Sequence, residues 1–234
     1  MGMVRPERAG EVREVVYSEE RWRTLRELRR RAGELMEALR TFDPVVHGSV
    51  ARGDVDERSD VDIFLRASPS PYLVEISLTS GGFNILEREI VMATPWQLPK
   101  AHIYVDERTS VTVPLFKPTR LELEFYQFGG AIGLEDLRTG KRVPGVDKRL
   151  MLIQPTRRGH LEASIIGRED ETARILGVSP DIVRERVQVL TRRAESGHTG
   201  LFIRRRLLPG ETLEEVFKRE VLQNPSVRMR LREG

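Results

Sequence analysis

The sequence contains no cysteine, which excludes disulfide frameworks, thiolate nucleophiles and cysteine-ligated zinc or iron–sulfur centres. Its four histidines lie far apart and form no local pair with metal-ligand spacing. No apolar run approaches the ~20 residues that a membrane-spanning helix needs. Residues 1–10 are charged and lack the apolar stretch of a signal peptide. We therefore expect a cytoplasmic protein that does not associate with membranes.

Charged residues are plentiful, but neither sign dominates. They make up 32% of the 234 residues with a formal net charge of +3, and hydrophobic residues make up 39%. This balance excludes a disordered polyelectrolyte and leaves enough apolar surface for a core. Residues 151–234 carry 16 Arg and Lys against 12 Asp and Glu, a balance of +4. A nucleic-acid contact is therefore expected first in that part of the chain.

The pattern of apolar and turn-forming residues predicts three segments. Residues 1–41 are an N-terminal helical arm, in which Ser18 caps a helix that runs to about residue 41. Residues 42–155 are an α/β domain, and residues 156–234 are a helical module that begins after Pro155. In the α/β domain, strands are predicted at residues 42–46, 61–65, 84–93, 101–105, 110–116 and 149–154. Helices are predicted there at residues 72–79 and 119–128, the second with a Thr119–Glu122 capping box.

An acid pair lies at the start of the strand predicted over residues 61–65. Residues two apart on a strand share a face, so we expect Asp60 and Asp62 to project together while Val61 and Ile63 face the core. Neighbouring carboxylates repel unless a cation lies between them, and their hard oxygens suit Mg²⁺. Such a pair can hold ions that bridge triphosphate oxygens and an attacking hydroxyl. We predict that both acids are catalytic metal ligands at a two-Mg²⁺ site.

A nucleotide-binding turn is predicted 12 residues before this pair, at Gly48 and Ser49. Glycine has no Cβ, so the backbone at Gly48 can approach a phosphate closely. Ser49 adds a hydroxyl donor and its own amide. Arg52 carries a guanidinium group that can pair with a phosphate. We therefore expect these three residues to bind the NTP.

The turn and the acid pair together resemble the nucleotidyltransferase superfamily that includes DNA polymerase beta, the CCA-adding enzymes and the minimal nucleotidyltransferases. The residues that match its signature are Gly48-Ser49 and Asp60-Val61-Asp62-Ile63, and Ala51-Arg52-Gly53 with Ser59 is similar to the minimal branch. The resemblance covers roughly residues 42–118. It implies a mixed-sheet α/β domain and Mg²⁺-dependent transfer of a nucleoside monophosphate from an NTP.

One feature of that superfamily is missing from the matching segment. Its members usually carry a third carboxylate on a later strand, which helps to hold the second metal and to polarise the acceptor hydroxyl. The segment that resembles this strand, Val111-Thr112-Val113-Pro114, has no acid. Glu89 and Asp106 remain as candidates for the third carboxylate, with ordinary surface roles as the alternative for each.

The C-terminal module resembles the helix-turn-helix family. Gly177 suits a left-handed turn, Ser179 and Pro180 suit a helix start, and residues 180–193 form the expected recognition helix. Residues 201–206 are expected to form a winged hairpin with a basic edge. Nucleic-acid contacts are predicted at Arg184, Arg192, Arg204, Arg205 and Arg206. Because Asp181 and Glu185 oppose such contacts, a protein partner is the alternative.

The function expected from these features is Mg²⁺-dependent nucleotidyl transfer from an NTP to an unidentified acceptor. The fold expected is a nucleotidyltransferase-type mixed sheet with an N-terminal helix and a winged-helix-like module. The alternative is a nucleic-acid-binding regulator whose transferase domain binds nucleotide with weak or no turnover, as the missing acid suggests. The resemblance to minimal nucleotidyltransferases also implies a third interpretation, partnership with a companion protein chain.

Overall fold

The computed structural model describes residues 11–197 and 200–232, and these residues form two compact units. Each unit is built from three separate stretches of the chain. The described part of the first unit comprises residues 11–30, 46–59 and 123–197. That of the second comprises residues 31–45, 60–122 and 200–232. No helix in these described ranges is long and apolar enough to cross a membrane.

Strands and helices are interspersed along the described residues. The strands, β1 to β11 in chain order, are Arg13–Val16, Pro44–His47, Val61–Leu65, Glu87–Met92, Lys100–Asp106, Thr109–Pro114, Ala131–Gly133, Gly145–Val146, Met151–Thr156, Gly159–Ser164 and Ile203–Arg206. The helices, α1 to α9, are Glu19–Ala38, Ser49–Arg52, Pro71–Ser80, Arg120–Phe128, Leu134–Arg138, Glu169–Leu176, Pro180–Ser196, Leu213–Gln223 and Pro225–Arg232. A short 3-10 helix covers Arg40–Phe42.

The first unit contains an antiparallel sheet with the strand order β1-β10-β9-β8. Strands β9 and β10 form a hairpin in which Pro155 pairs with His160. A core cluster joins this sheet to the helix pair α6 and α7, and its buried members are Phe128, Val146, Leu150, Leu152, Ile165, Ala173, Leu176, Val178, Ile182 and Val183. The boundary predicted near Pro155 would cut this hairpin and this core, so it does not match the division of the chain.

In the second unit, five strands pair in the order β11-β4-β5-β6-β3. Strand β3 runs parallel to β6, and the other three pairings are antiparallel. The sheet is therefore mixed, and the expectation of a mixed α/β fold is confirmed. One sheet face is apolar: Met92 of β4 and Ile203 of β11 are buried with Val227 of α9, and Phe217 of α8 packs against them. This packing leaves the opposite face of the same strands for polar side chains.

Two of the predicted helix starts are confirmed by their hydrogen bonds. The Ser18 hydroxyl accepts from the backbone N–H of Arg21 at 3.2 Å, immediately before α1 begins at Glu19. Thr119 and Glu122 form the expected capping box: the Glu122 carboxylate accepts from the Thr119 backbone N–H at 2.8 Å, and the Thr119 hydroxyl accepts from the Glu122 N–H at 3.3 Å. Both caps satisfy N–H groups that have no partner within the helix.

The C-terminal region follows the prediction only in part. Helix α6 ends at Gly177, which is left-handed with φ 65°, and the Ser179 hydroxyl caps α7 by accepting from the Asp181 N–H at 3.1 Å. The predicted helix, turn and cap are thus confirmed. The predicted winged hairpin is wrong, because the basic strand β11 pairs antiparallel with β4 of the second unit. Assignment of α6 and α7 to the helix-turn-helix family stays a prediction.

Candidate active site

The acid pair lies where β3 begins in the second unit. The Val61 N–H donates to the Arg108 carbonyl at 2.8 Å, which fixes the start of the strand beside β6. Asp62 is half-buried, and its Oδ1 accepts a 2.8 Å hydrogen bond from the Ser110 hydroxyl. Asp60 precedes the strand and its side chain is 59% exposed, with Oδ1 at 3.7 Å from the Arg108 Nε. One carboxylate is therefore anchored and the other faces solvent.

The carboxylate oxygens of Asp60 and Asp62 fit a single Mg²⁺ ion. Magnesium prefers oxygen ligands, keeps several waters, and is typically held by one or two carboxylates together with substrate phosphates. Asp60 and Asp62 supply such carboxylates, and the Ser110 hydroxyl fixes the orientation of Asp62. Within residues 11–197 and 200–232, no group of three or more His, Asp or Glu side chains is arranged to hold a metal ion. The prediction of two metal ions therefore gains no support from a third protein ligand.

Glu89 is engaged in other interactions. It is only 4% exposed, and its two carboxylate oxygens accept hydrogen bonds at 2.9 Å from the Tyr104 hydroxyl and the Arg204 Nε. Burial alone would raise the pKa of Glu89, but the hydrogen bonds from Arg204 and Tyr104 outweigh it and hold the pKa below its ordinary value. Glu89 is thus a buried anchor for Arg204, which argues against its predicted role as the third carboxylate.

Asp106 is also engaged. Its carboxylate accepts from the Arg31 guanidinium at 2.8 Å and from the Arg108 backbone N–H at 2.9 Å. Burial works to raise the pKa of Asp106, but these hydrogen bonds and the charge of Arg31 lower it overall. A bulge in the β5–β6 pairing between Tyr104 and Asp106 changes the register at this point. Asp106 therefore closes the β5–β6 turn, and this arrangement argues against a metal-binding role.

The predicted nucleotide-binding turn lies in the first unit. Gly48 has φ 77° and ψ −146°, a conformation that only glycine adopts readily, and its N–H donates to the Gly130 carbonyl at 2.9 Å. A Cβ built on Gly48 would meet no atom within 4 Å, so the space in front of the backbone is open. Ser49 is half-buried at the start of α2. The backbone conformation at residue 48 therefore requires glycine. Nucleotide binding at this turn stays a prediction.

Arg52 is part of the core of the first unit. It is 5% exposed, and its Nε and Nη2 each donate to the Asp54 carboxylate at 2.9 Å. Its Nη1 donates to the Gly129 carbonyl at 2.5 Å. Removing one partner of a buried ion pair typically costs about 3–5 kcal/mol, because the other charge is left unpaired. This arrangement favours a structural role for Arg52 over the predicted phosphate contact.

The arginines predicted to contact nucleic acid differ in their surroundings. Arg184 forms ion pairs with Asp170 at 2.7 Å and Asp181 at 3.6 Å, whereas Arg192 is exposed on α7. The other three lie on β11 and pair with acids of the second unit: Arg204 with Glu89, Arg205 with Glu211 and Arg206 with Glu87. The predicted contacts are therefore spread over both units, since Arg184 and Arg192 belong to the first.

Sequence reasoning missed the polar residues of β5 and β6 that lie beside the acid pair. Ser110 bonds Asp62, and Thr112 bonds the Nδ1 of His102 at 2.9 Å. Burial lowers the pKa of His102, and the charge of Lys100 lowers it further. The alternation of polar Ser110 and Thr112 with apolar Val111 and Val113 was the available signal, because alternate residues of a strand share a face.

Comparison with known proteins supports the chemistry suggested by the acid pair. Residues 25–111, which contain Gly48, Ser49, Asp60 and Asp62, match the family model described as a nucleotidyltransferase domain. Searches of curated proteins and of solved structures each found no match. The superfamily resemblance is thus supported for this segment, and nucleotidyl transfer is the general activity that it indicates.

Proposed function

We propose that the protein is a Mg²⁺-dependent nucleotidyltransferase that moves a nucleoside monophosphate from an NTP to an acceptor hydroxyl. The observation that carries the proposal is the acid pair at the start of β3, with Asp62 anchored by Ser110 and Asp60 exposed just before the strand, inside the segment that matches the nucleotidyltransferase domain. Asp60 and Asp62 would hold Mg²⁺. When bound, this ion neutralises the charge that develops on the triphosphate oxygens.

The proposed reaction is a displacement at the α-phosphorus of the NTP. The acceptor oxygen forms a bond to the α-phosphorus, the bond from that phosphorus to the bridging oxygen breaks, and pyrophosphate leaves with the electron pair. The proton of the acceptor hydroxyl passes to solvent. Ser110 holds the Asp62 carboxylate in one orientation throughout.

Metal-dependent NTP binding gives the first test. We expect Asp60→Asn/Asp62→Asn to weaken the affinity for Mg²⁺–NTP at least ~10-fold, because loss of the carboxylates removes the main metal ligands, and ~1.4 kcal/mol corresponds to this factor. Titration calorimetry of each NTP with Mg²⁺, repeated in EDTA, measures the effect. The difference between parent and variant should disappear in EDTA. If the parent and the variant bound Mg²⁺–NTP with equal affinity, Asp60 and Asp62 would not be part of the binding site.

A regulator that binds nucleotide without turnover is the second candidate function. It is favoured by one observation: among the described residues, no third acid or histidine joins Asp60 and Asp62 as a metal-binding group. This candidate predicts normal Mg²⁺–NTP affinity in the parent with no transfer to any acceptor. The two functions therefore differ in turnover and not in binding.

A further inference from the structure

A cationic side chain lies beside the acid pair, in the turn between β5 and β6. The Arg108 side chain is 50% exposed, and its Nε lies 3.7 Å from Asp60 Oδ1. The backbone of Arg108 is held on both sides: its N–H donates to Asp106 Oδ1 at 2.9 Å, and its carbonyl accepts from the Val61 N–H at 2.8 Å. The guanidinium therefore reaches Asp60 from a fixed point of the backbone.

The two carboxylates of the pair meet different groups at β6. Asp62 pairs with Ser110 in the strand register, and Asp60 and Arg108 each lie two residues earlier in the chain. The buried Ser110 hydroxyl orients the Asp62 carboxylate and adds no charge, whereas Arg108 brings a positive charge to Asp60. One acid is thus held in orientation, and the other is partly neutralised.

We propose that Arg108 is a built-in counter-charge that keeps the affinity of the acid pair for Mg²⁺ low until an NTP is present. This inference rests on the proposed function and adds the regulation of its metal site. Before Mg²⁺ binds, two carboxylates and one guanidinium sum to one negative charge, which attracts a divalent cation only weakly. Arg108 also competes with the ion for the Asp60 oxygen.

The charge balance changes sign when the metal ion is bound. The same three side chains together with Mg²⁺ then carry one positive charge, which favours a polyanionic triphosphate. The metal ion and the nucleotide therefore each raise the affinity for the other, and this coupling is the same in both directions. In a site without the guanidinium, the acid pair and Mg²⁺ would cancel, and the bound ion would attract the nucleotide less strongly.

Replacements at position 108 form a charge series that tests the metal half of the proposal. Arg108→Lys keeps the positive charge, Arg108→Gln removes it and Arg108→Glu reverses it. Binding of Mn²⁺, which takes the same oxygen ligands as Mg²⁺, is measured without nucleotide by electron paramagnetic resonance. At low salt we expect the Lys variant to bind within about twofold of the parent, the Gln variant ~5-fold more tightly and the Glu variant ~25-fold more tightly.

A matched control lies at the other end of β3. Arg66 follows this strand and forms an ion pair with Asp43, and both side chains are exposed. Arg66→Gln removes the same charge from the same type of pair, six residues from Asp60 in the chain. This separation is ~20 Å along a strand, well beyond the ~10 Å over which charges act at 0.1 M salt. The Mn²⁺ affinity of this variant should equal that of the parent.

Nucleotide binding should change in the opposite direction. In saturating Mg²⁺, titration calorimetry should show that Arg108→Gln binds NTP ~5-fold more weakly than the parent, whereas Arg108→Lys binds like the parent. A variant whose site is merely disordered would bind both the metal ion and the nucleotide more weakly. Tighter Mn²⁺ binding together with weaker NTP binding is therefore specific to the counter-charge.

The acid-pair variant separates this inference from the proposed function. Adding Asp60→Asn/Asp62→Asn to the parent or to Arg108→Gln should abolish Mn²⁺ binding. If Mn²⁺ binding requires the acid pair but does not change along the charge series, the role of Arg108 is overturned and the proposed function stands. Equal tightening by Arg66→Gln and Arg108→Gln would also overturn that role. Mn²⁺ binding that does not depend on the acid pair would overturn both proposals.

Discussion

Replacing Asp60 and Asp62 together by asparagine should lower the rate of nucleotidyl transfer about a thousandfold. The change keeps the shape of each side chain but removes both negative charges, and with them the stabilisation that a bound Mg²⁺ gives to the transition state. A loss of ~4 kcal/mol of such stabilisation corresponds to this factor. The measurement is the initial rate of label transfer from an α-labelled NTP at saturating Mg²⁺.

The matched control is Asp56→Asn, a change of the same type in the same loop. Asp56 is exposed, and its carboxylate accepts hydrogen bonds from neighbouring residues, from the Arg58 N–H at 2.8 Å and the Ser59 hydroxyl at 3.3 Å. Transfer by this variant should stay within about twofold of the parent, since surface changes of this kind are usually within ±0.5 kcal/mol. Comparable losses in Asp56→Asn and the double variant would show that loop disruption, and not metal binding, lowers the rate.

A fragment of residues 156–234 should show no cooperative thermal transition. The sequence predicts a separate helical module at residues 156–234, but the core cluster takes Phe128, Val146, Leu150 and Leu152 from outside it. Truncating one such large side chain typically costs about 2–5 kcal/mol. The loss of all four therefore approaches or exceeds the ~5–15 kcal/mol that stabilises a typical domain.

Helix α4 gives a second reason for this expectation. Its buried Glu124 accepts from the Ser179 N–H at 3.0 Å, and the Gln127 side chain donates to the Leu176 carbonyl at 2.9 Å, so the turn between α6 and α7 depends on α4. Residues 120–199 contain α4 and the whole cluster, and this fragment should melt cooperatively when followed by circular dichroism. Cooperative melting of 156–234 alone would restore the predicted boundary near Pro155.

Local features of the fold were predictable because they depend on neighbouring residues. The caps at Ser18 and Ser179, the capping box at Thr119 and the left-handed Gly177 each follow from residue types a few positions apart. The Asp60–Asp62 pair was predicted from alternation along one strand, and the structure places Asp62 on β3 and Asp60 just before it. Such signals depend on backbone geometry that the chain sets locally.

Pairings between distant segments were not predictable from these signals. Strand β1 pairs with β10, bringing Arg13 opposite Glu162, and β11 pairs with β4, bringing Arg206 opposite Glu89. Both joining strands are short, mostly exposed and rich in charge, so they lack the apolar alternation typical of a half-buried strand. The winged hairpin was therefore a wrong prediction, although the basic residues that suggested it do form a strand.

The roles of single charged residues also depended on the fold. Arg52 follows the glycine turn and has the chemistry of a phosphate ligand, but it is buried against Asp54. Glu89 has apolar neighbours like those of a metal-binding acid, but it accepts from Tyr104 and Arg204. In each case the side chain could either bind a ligand or form a structural ion pair. Burial and strand pairing decide between these roles, because they determine which residues lie next to the side chain.

The most direct test of nucleotidyl transfer follows the fate of the α-phosphate. The parent protein is incubated with Mg²⁺ and each of the four NTPs, labelled at either the α- or the γ-phosphate, together with pooled single-stranded RNA, single-stranded DNA and protein. We predict that the parent attaches α-label covalently to one acceptor pool and releases γ-label as pyrophosphate. The Asp60→Asn/Asp62→Asn variant should neither attach α-label nor release labelled pyrophosphate. Failure of every NTP to label any pool, while Mg²⁺–NTP still binds, would contradict transfer and leave a nucleotide-binding regulator.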